Sequence, residues 1–411
     1  MYIFKSEIVM KRIRNALIKL IEFVNSNSIF NYFFSIGFCL FFLFLFGMFT
    51  TDTFSNLLSI FFGFIISHLT LGIFKIISIK LEDVAKVSDN TEQLMKIYTD
   101  EKCRKVVKLN GTETIVLYND LIADKNCKIK VVDNKDNIFE PDDFVKDNFH
   151  NLMRAHQHST KRNLLTVRLD DCKKTGDNEY TLTMSRSTYF NHLITNRAAD
   201  FKLESGISLR DYYEYGTNVT GLKDSVMSNH LGVIALVYLK DGELLLPRRK
   251  ETSTISKNKI TSSIATRLNL PSDNNITTEY LMKDCIMEEL VSRTQINPAL
   301  LDESEIDIEF LGCGQDIYEV GKPHLYYKVV LKNISRQDYL ANAIKKENNN
   351  DIDEDKYIYV AKRDSLKFDD DAIILEYYKA QIVNGKYKEK LMKVKCNYEK
   401  AFACNIWHEQ Q

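Results

Sequence analysis

The chain opens with a long apolar region. No residue from Phe23 to Thr51 is charged, and a second uncharged run extends from Thr53 to Phe74. A helix needs about 20 apolar residues to cross the hydrocarbon core of a bilayer. The pattern therefore predicts two transmembrane helices within residues 29–75, joined by a short turn. A buried helical hairpin in a globular core would show the same pattern.

The flanking charges predict the orientation of this hairpin. Basic residues occur on the outer sides of the two runs and not in the turn, at Lys11, Arg12, Arg14, Lys19, Lys75 and Lys80. By the positive-inside rule, both termini then face the cytoplasm. The predicted location is a bacterial inner membrane crossed twice, with residues 1–28 as a basic amphipathic segment on its inner surface.

Small residues recur every four positions in the second run, at Ser55, Ser59, Gly63 and Ser67. Residues at this spacing share one helix face, and small side chains let helices approach closely in a membrane. The face is predicted either to pack on the first helix of the same chain or to join copies into a homo-oligomer. The pattern does not choose between these alternatives.

The rest of the chain has a mixed pattern of helices and strands. Residues 76–98 are predicted to form a helical connector. Residues 99–227 contain short β-rich runs such as "ETIVLYND" and "NLLTVRLDDC", which predict an α+β segment. From residue 228, "GVIALVYLKDGELLLPRR" predicts two strands around Lys-Asp-Gly, "DCIMEELVSRT" predicts a helix, and "KPHLYYKVVL" predicts a further strand.

Composition excludes several functional classes. The formal net charge is −1, which argues against a general surface for binding DNA or RNA polymers. The eight cysteines are scattered and include no CxxC pair, so we expect neither a disulfide framework nor a zinc site.

The strand pair, the helix with Glu288 and Glu289, and the later strand together resemble the Nudix fold. The resemblance implies an α/β/α sandwich over residues 228–411, with C-terminal helices. When the family signature G-x5-E-x7-R-E-U-x-E-E-x-G-U is aligned on Glu288 and Glu289, Cys285 replaces a metal-binding glutamate. Leu270 and Val291 replace its glycines. Glu288 and Glu289 are thus weak candidates for binding Mg²⁺, no cofactor is required, and the eroded signature argues against hydrolysis. A solvated helix face is the alternative.

The surrounding polar residues suit a nucleotide or phosphate ligand. The candidate ligand-binding residues are Arg248, Arg249, Lys250, Ser262, Ser263, Arg267, Lys322 and Tyr326. Arginine matches phosphate oxygens through its planar guanidinium, and tyrosine stacks on bases. For any single residue of the set, a charged rim or a core aromatic position is the alternative.

Two membrane helices followed by an eroded Nudix-like domain resemble the transmembrane-Nudix effectors of CBASS, a class of bacterial antiphage systems. The resemblance implies a membrane-bound receptor that senses a cyclic di- or trinucleotide, contacts membrane lipid, and disrupts the inner membrane by oligomerising. The rival prediction is a membrane-tethered Nudix hydrolase of a nucleoside diphosphate derivative.

Overall fold

The computed structural model describes residues 63, 65–73, 87–154, 156, 162–249, 258–348, 356–383 and 386–411. The chain divides into two compact units, residues 1–86 and 87–411. In the first unit, residues 65–73 are helical and Ser67 is buried. Most of the predicted hairpin, including Ser55 and Ser59, and the whole amphipathic segment lie outside the described residues.

Strands make up most of the second unit. In chain order they are β1 (Arg104–Leu109), β2 (Thr112–Ile122), β3 (Lys128–Ile138), β4 (Leu165–Gly176), β5 (Glu179–Thr188), β6 (Gly232–Leu239), β7 (Leu244–Arg249), β8 (Ile264–Arg267), β9 (Ile306–Asp316), β10 (Lys322–Leu331), β11 (Lys356–Ala361), β12 (Lys367–Asp369), β13 (Ala372–Val383) and β14 (Lys386–Asn397).

The helices are fewer and shorter. They are α1 (Thr91–Leu94), α2 (Asp143–Asp147), α3 (Phe149–Arg154), α4 (Tyr189–Ile194), α5 (Leu209–Tyr213), α6 (Cys285–Thr294), α7 (Arg336–Asn348) and α8 (Lys400–Gln410). A π-helical turn, Tyr280–Asp284, leads directly into α6.

The described strands form two sheets. The larger has eleven strands in the order β1-β2-β9-β10-β6-β7-β11-β13-β12, with β14 paired to β13 and β8 paired to β6. The smaller has the order β3-β5-β4. Within the larger sheet β6 and β10 are parallel, whereas β6 and β8 are antiparallel.

Helices α6 and α8 pack on opposite faces of the larger sheet. Successive residues of β6 point to alternate faces, so Val233 joins the core that contains Ile286 of α6. Ile234 joins the core that contains Phe402 of α8. Every residue of β6 is buried, as expected for a central strand covered on both sides.

The predicted fold class is wrong. It divided the chain into a two-helix transmembrane hairpin, an α+β region and a Nudix-like α/β/α sandwich, whereas the described residues are mostly β. Strands β1 and β2, from the expected α+β segment, pair into the same large sheet as the later strands. Residues 372–383 and 386–397, in the part where C-terminal helices were expected, form the long antiparallel pair β13–β14.

The predicted inner-membrane location is also corrected. Among the residues that the structure describes, none of the helices has both the length and the apolar composition needed to cross a bilayer. Of the predicted helical connector, residues 76–86 lie outside the description and residues 87–90 are not helical. Only Thr91–Leu94 of that segment is an α-helix.

Several local predictions are confirmed. The two strands around Lys-Asp-Gly are β6 and β7, and Gly242 in their turn has a φ of +86°, a conformation that favours glycine. The helix that carries Glu288 and Glu289 is α6. The further strand is β10, in which Tyr326 and Tyr327 belong to cores on opposite faces of the sheet.

Candidate ligand-binding site

Two of the predicted ligand residues, Arg267 and Lys322, come together at one end of the large sheet. Gly232, the first residue of β6, is paired with Arg267 of β8 on one side and with His324 of β10 on the other. Directly opposed residues in neighbouring strands share a face, and Lys322 lies two positions before His324 on that same face. The end of the sheet therefore presents Arg267, Lys322 and His324 together.

Gly232 makes room for the imidazole of His324. A Cβ atom on residue 232 would lie 2.2 Å from Nδ1 of His324, closer than any ordinary contact. Residue 232 must therefore be glycine for the ring of His324 to occupy this position.

Buried histidines form the floor of this region. His230 and His324 are 3% and 4% exposed, and within the described part of the chain neither ring nitrogen of either residue has a hydrogen-bond partner. Buried polar groups are rarely left in this state. A neutral imidazole offers one donor and one acceptor, so the two rings hold unused capacity to bind a polar ligand.

Both histidines are neutral at physiological pH. Burial, together with the charge of Lys322, lowers the pKa of His324 to about 3. Burial also holds the pKa of His230 well below its usual value, and the charges of Lys322 and Arg267 act in the same direction. The effect of both cations on His230 agrees with the strand register, which places them at the same end of the sheet.

Asp316 and Glu319 complete the group and differ in charge state. Burial, together with the charge of Glu319, raises the pKa of Asp316 to about 7. Burial also opposes ionisation of Glu319, but Lys322 at 3.0 Å and Arg197 at 2.7 Å hold its pKa below the usual range. Oδ2 of Asp316 lies 3.9 Å from Nε2 of His324. Since His324 is neutral, this is not an ion pair at neutral pH.

We call this group the strand-end cluster, and its members are His230, Arg267, Asp316, Glu319, Lys322 and His324. Arg267, Lys322 and the neighbouring Arg197 carry positive charges. At neutral pH they outnumber the two carboxylates, Glu319 and Asp316, of which Asp316 is only partly ionised. Arg267 and Lys322 are partly exposed, whereas both histidines are buried. The cluster therefore combines partly exposed cations with buried neutral histidines, a set of groups that suits an anionic ligand with further polar groups.

Sequence reasoning missed His192 and His230. His192, on α4, lies edge-on to His230 with their ring centroids 4.6 Å apart, and it is 4% exposed. Residues 99–227 were predicted to form an α+β segment, and within them the structure shows β5 followed by α4. The pairing of α4 with the start of β6 is a non-local contact, which no spacing in the sequence reveals.

Arg248 and Arg249 end strand β7 and are partly buried. Nε of Arg248 donates to the carbonyl oxygen of Asn258 at 3.3 Å, and a hydrogen bond with Tyr359 raises the pKa of the guanidinium. The backbone N–H of Arg249 donates to the carbonyl oxygen of Lys259 at 3.1 Å. Arg248 thus has hydrogen-bond acceptors within the protein. Lys250 lies outside the described residues.

Ser262, Ser263 and Tyr326 lie in the interior. Oγ of Ser263 donates to the carbonyl oxygen of Leu245 at 2.5 Å and accepts from the backbone N–H of Val237 at 2.8 Å, which links β6 to β7. The ring of Tyr326 stacks on His408 with centroids 4.7 Å apart. These positions suit support of the sheet better than direct contact with a ligand.

The carboxylates of α6 are engaged with neighbouring side chains. Glu289 accepts from Nε of Arg293 and from Nδ2 of Asn269, each at 2.6 Å. Glu288 accepts from the hydroxyl of Tyr280 at 2.8 Å. Burial raises the pKa of Cys285 to about 12, so its thiol is neutral.

These side chains make a poor donor set for Mg²⁺, which prefers oxygen ligands in octahedral geometry. A neutral thiol stands where the Nudix signature has a carboxylate, and Arg293 already neutralises Glu289. In the part of the chain that the structure describes, no three His, Cys, Asp or Glu side chains are grouped to hold a metal ion.

Comparisons with known proteins add no family assignment. No protein-family model matches the chain, and no curated protein matches its sequence.

Proposed function

We propose that the chain is a receptor that binds a cyclic di- or trinucleotide at the strand-end cluster and leaves the ligand intact. The observation that carries this proposal is that Arg267 and Lys322 lie on one sheet face, at the same end as two buried neutral histidines whose ring nitrogens have no hydrogen-bond partner among the described residues. Phosphodiester oxygens pair well with guanidinium and ammonium groups. Ring nitrogens suit the hydroxyl and base groups of the same ligand.

Binding without hydrolysis is supported by the state of α6. A Nudix hydrolase uses a cluster of carboxylates on one helix to hold metal ions that activate water. Here Glu289 is paired with Arg293, Glu288 accepts from Tyr280, and position 285 carries a neutral thiol. A receptor benefits from this arrangement because it does not consume its own signal.

The biological setting that we propose is a bacterial antiphage system of the CBASS type. This part rests on the sequence resemblance to Nudix-containing effectors and not on the geometry of the site. The proposal concerns recognition of the messenger alone.

The direct test is equilibrium binding of the full chain to a panel of cyclic di- and trinucleotides in the presence of Mg²⁺. Ion-exchange chromatography of the recovered ligand then shows whether it has been cleaved. We expect saturable binding of at least one member and quantitative recovery of intact ligand. A linear dinucleotide of the same bases serves as the matched control and should bind more weakly.

Two outcomes would contradict the proposal. Failure of every cyclic oligonucleotide to bind would remove the receptor function. Rapid Mg²⁺-dependent turnover of the bound ligand would instead identify the chain as a hydrolase.

A further inference from the structure

Strand β9 has an open edge over its first half. β10 pairs with β9 along its whole length, whereas β2 pairs only with Cys313–Asp316 on the other side. On that second side, residues 306–310 have no strand neighbour among the described residues. An open edge exposes backbone N–H and C=O groups that can pair with another strand.

A groove of about 580 Å³ follows this open edge. It is lined by apolar Met282, Ile306, Ile308 and Val330, by acidic Asp307 and Glu309, and by basic Lys283 and Lys328. Along β9 the isoleucines are half-buried and the two acidic residues are exposed, in strict alternation. One face of this strand edge is therefore apolar and the other is acidic.

Strand β14 is a second open edge with the complementary pattern. Among the described residues its strand partner is β13, and on its other side Ile260 reaches only the end of the strand, near Asn397 and Tyr398. Met392 and Val394 are half-buried, whereas Lys393 and Lys395 are exposed. One face of this edge is thus apolar and the other is basic.

We propose that copies of this chain assemble by pairing the β14 edge of one copy with the β9 edge of the next. Opposed residues in paired strands share a face. The register that sets Ile308 against Val394 also sets Asp307 and Glu309 against Lys393 and Lys395. This match holds for both parallel and antiparallel pairing, because every side chain alternates with a period of two.

The assembly is head-to-tail, since the two paired edges are different parts of the chain. Such an interface forms an open row or a ring, not a closed twofold dimer. Pairing two β9 edges around Ile308 would set Asp307 against Glu309, and like charges directly opposed are destabilising. The charge pattern therefore selects β14 as the partner edge. The inference does not depend on the proposed ligand.

Existing ion pairs at the two edges do not prevent this exchange. Asp307 lies 2.7 Å from Lys332, and Lys395 lies 2.6 Å from Asp369. All four side chains are at least 39% exposed. Exposed pairs of this kind contribute little to stability, so Asp307 and Lys395 are available to a partner copy.

Charge reversal at each edge tests the proposal in sedimentation velocity of the full chain over a concentration series. The two variants are Lys393→Glu with Lys395→Glu, and Asp307→Lys with Glu309→Lys. We expect concentration-dependent association of the unmodified chain and at least tenfold weaker self-association of either variant. An equimolar mixture should associate again, because each variant then presents an edge of opposite charge to the other.

The matched control is Lys128→Glu with Lys130→Glu. These lysines have the same spacing and exposure on β3, in the smaller sheet, and their reversal should leave association unchanged. The proposal is overturned if the unmodified chain stays monomeric, if both edge variants associate like the unmodified chain, or if the mixture fails to recover while both variants remain folded by circular dichroism.

Discussion

At the scale of single residues, Asp316 is a buried carboxyl group whose charge changes near neutral pH. It is 5% exposed, and its Oδ1 accepts the backbone N–H of Tyr318 at 2.9 Å. The folded chain keeps this group protonated up to about pH 7, whereas an unfolded chain releases the proton near the usual pKa of 3.8. Between these values the unfolded state binds fewer protons, so the contribution of Asp316 to the free energy of unfolding falls as pH rises.

Asp316→Asn should remove this part of the pH dependence, because the amide cannot ionise. Between about pH 4 and pH 7, the free energy of unfolding of the unmodified chain should fall by on the order of 1–4 kcal/mol more than that of the variant, from the size of the pKa shift. Urea unfolding at several pH values measures the difference. Because the pKa of Glu319 is lowered in the folded chain, its contribution to the free energy of unfolding rises with pH, mainly below about pH 4. Equal slopes for the two chains would mean that Asp316 ionises normally when folded.

The sequence identified some residues of the site and not their surroundings. Arg267 and Lys322 stood out as polar residues that suit a nucleotide or phosphate ligand. Nothing local marked Asp316 or His230, since their importance arises from burial and from strand neighbours distant in sequence.

At the scale of elements, the parallel pairing of β6 and β10 places the site. Gly232 and His324 are register partners, and the backbone of Gly232 lies directly under the imidazole. Overpacking a buried position forces side chains or backbone to shift. The glycine therefore controls whether His324 can occupy its place in the cluster.

Gly232→Ala should displace His324, because the added methyl group would lie 2.2 Å from Nδ1. We expect a loss of about 1–3 kcal/mol in the free energy of unfolding and weaker binding of the cyclic oligonucleotide. Denaturant unfolding and calorimetry measure the two effects. Gly221→Ala is the control, since a Cβ atom there meets nothing within 4 Å. Unchanged stability and affinity in Gly232→Ala would contradict this geometry.

Sequence patterns predicted individual helices and strands better than they predicted which strands pair with each other. The hairpin β6–β7 and helix α6 follow from turn residues and helical spacing, which are local properties. The lysine-rich segment of β14 was expected among C-terminal helices, yet it pairs with β13 over twelve residues. Strand preference depends on cross-strand neighbours, so this segment could not be assigned from its composition.

At the scale of the whole molecule, the net charge of −1 conceals a strong local separation of charge. Cations gather at the strand-end cluster, acidic groups line the open half of β9, and lysines line β14. The net charge of the whole chain therefore argues against a generally basic surface but does not exclude a local site that binds an anion. The apolar N-terminal region suggested a membrane protein, whereas the described helices include none able to span a bilayer.

The central claim is that Arg267 and Lys322 bind the phosphates of the ligand. The most direct measurement is calorimetry, in which the cyclic oligonucleotide that the unmodified chain binds is titrated into three double variants of the full chain. Arg267→Ala with Lys322→Ala removes the cluster cations, and Arg248→Ala with Arg249→Ala removes the pair at the end of β7. Arg104→Ala with Lys128→Ala is the matched control, since both residues are exposed on other strands.

We expect the first variant to bind at least about a hundredfold more weakly, because two charged hydrogen bonds are lost at about 1.5–3 kcal/mol each. The second variant should change affinity less, since neither Arg248 nor Arg249 belongs to the strand-end cluster. The control should match the unmodified chain. Unchanged affinity in a folded Arg267→Ala, Lys322→Ala variant would contradict the account and place the ligand elsewhere.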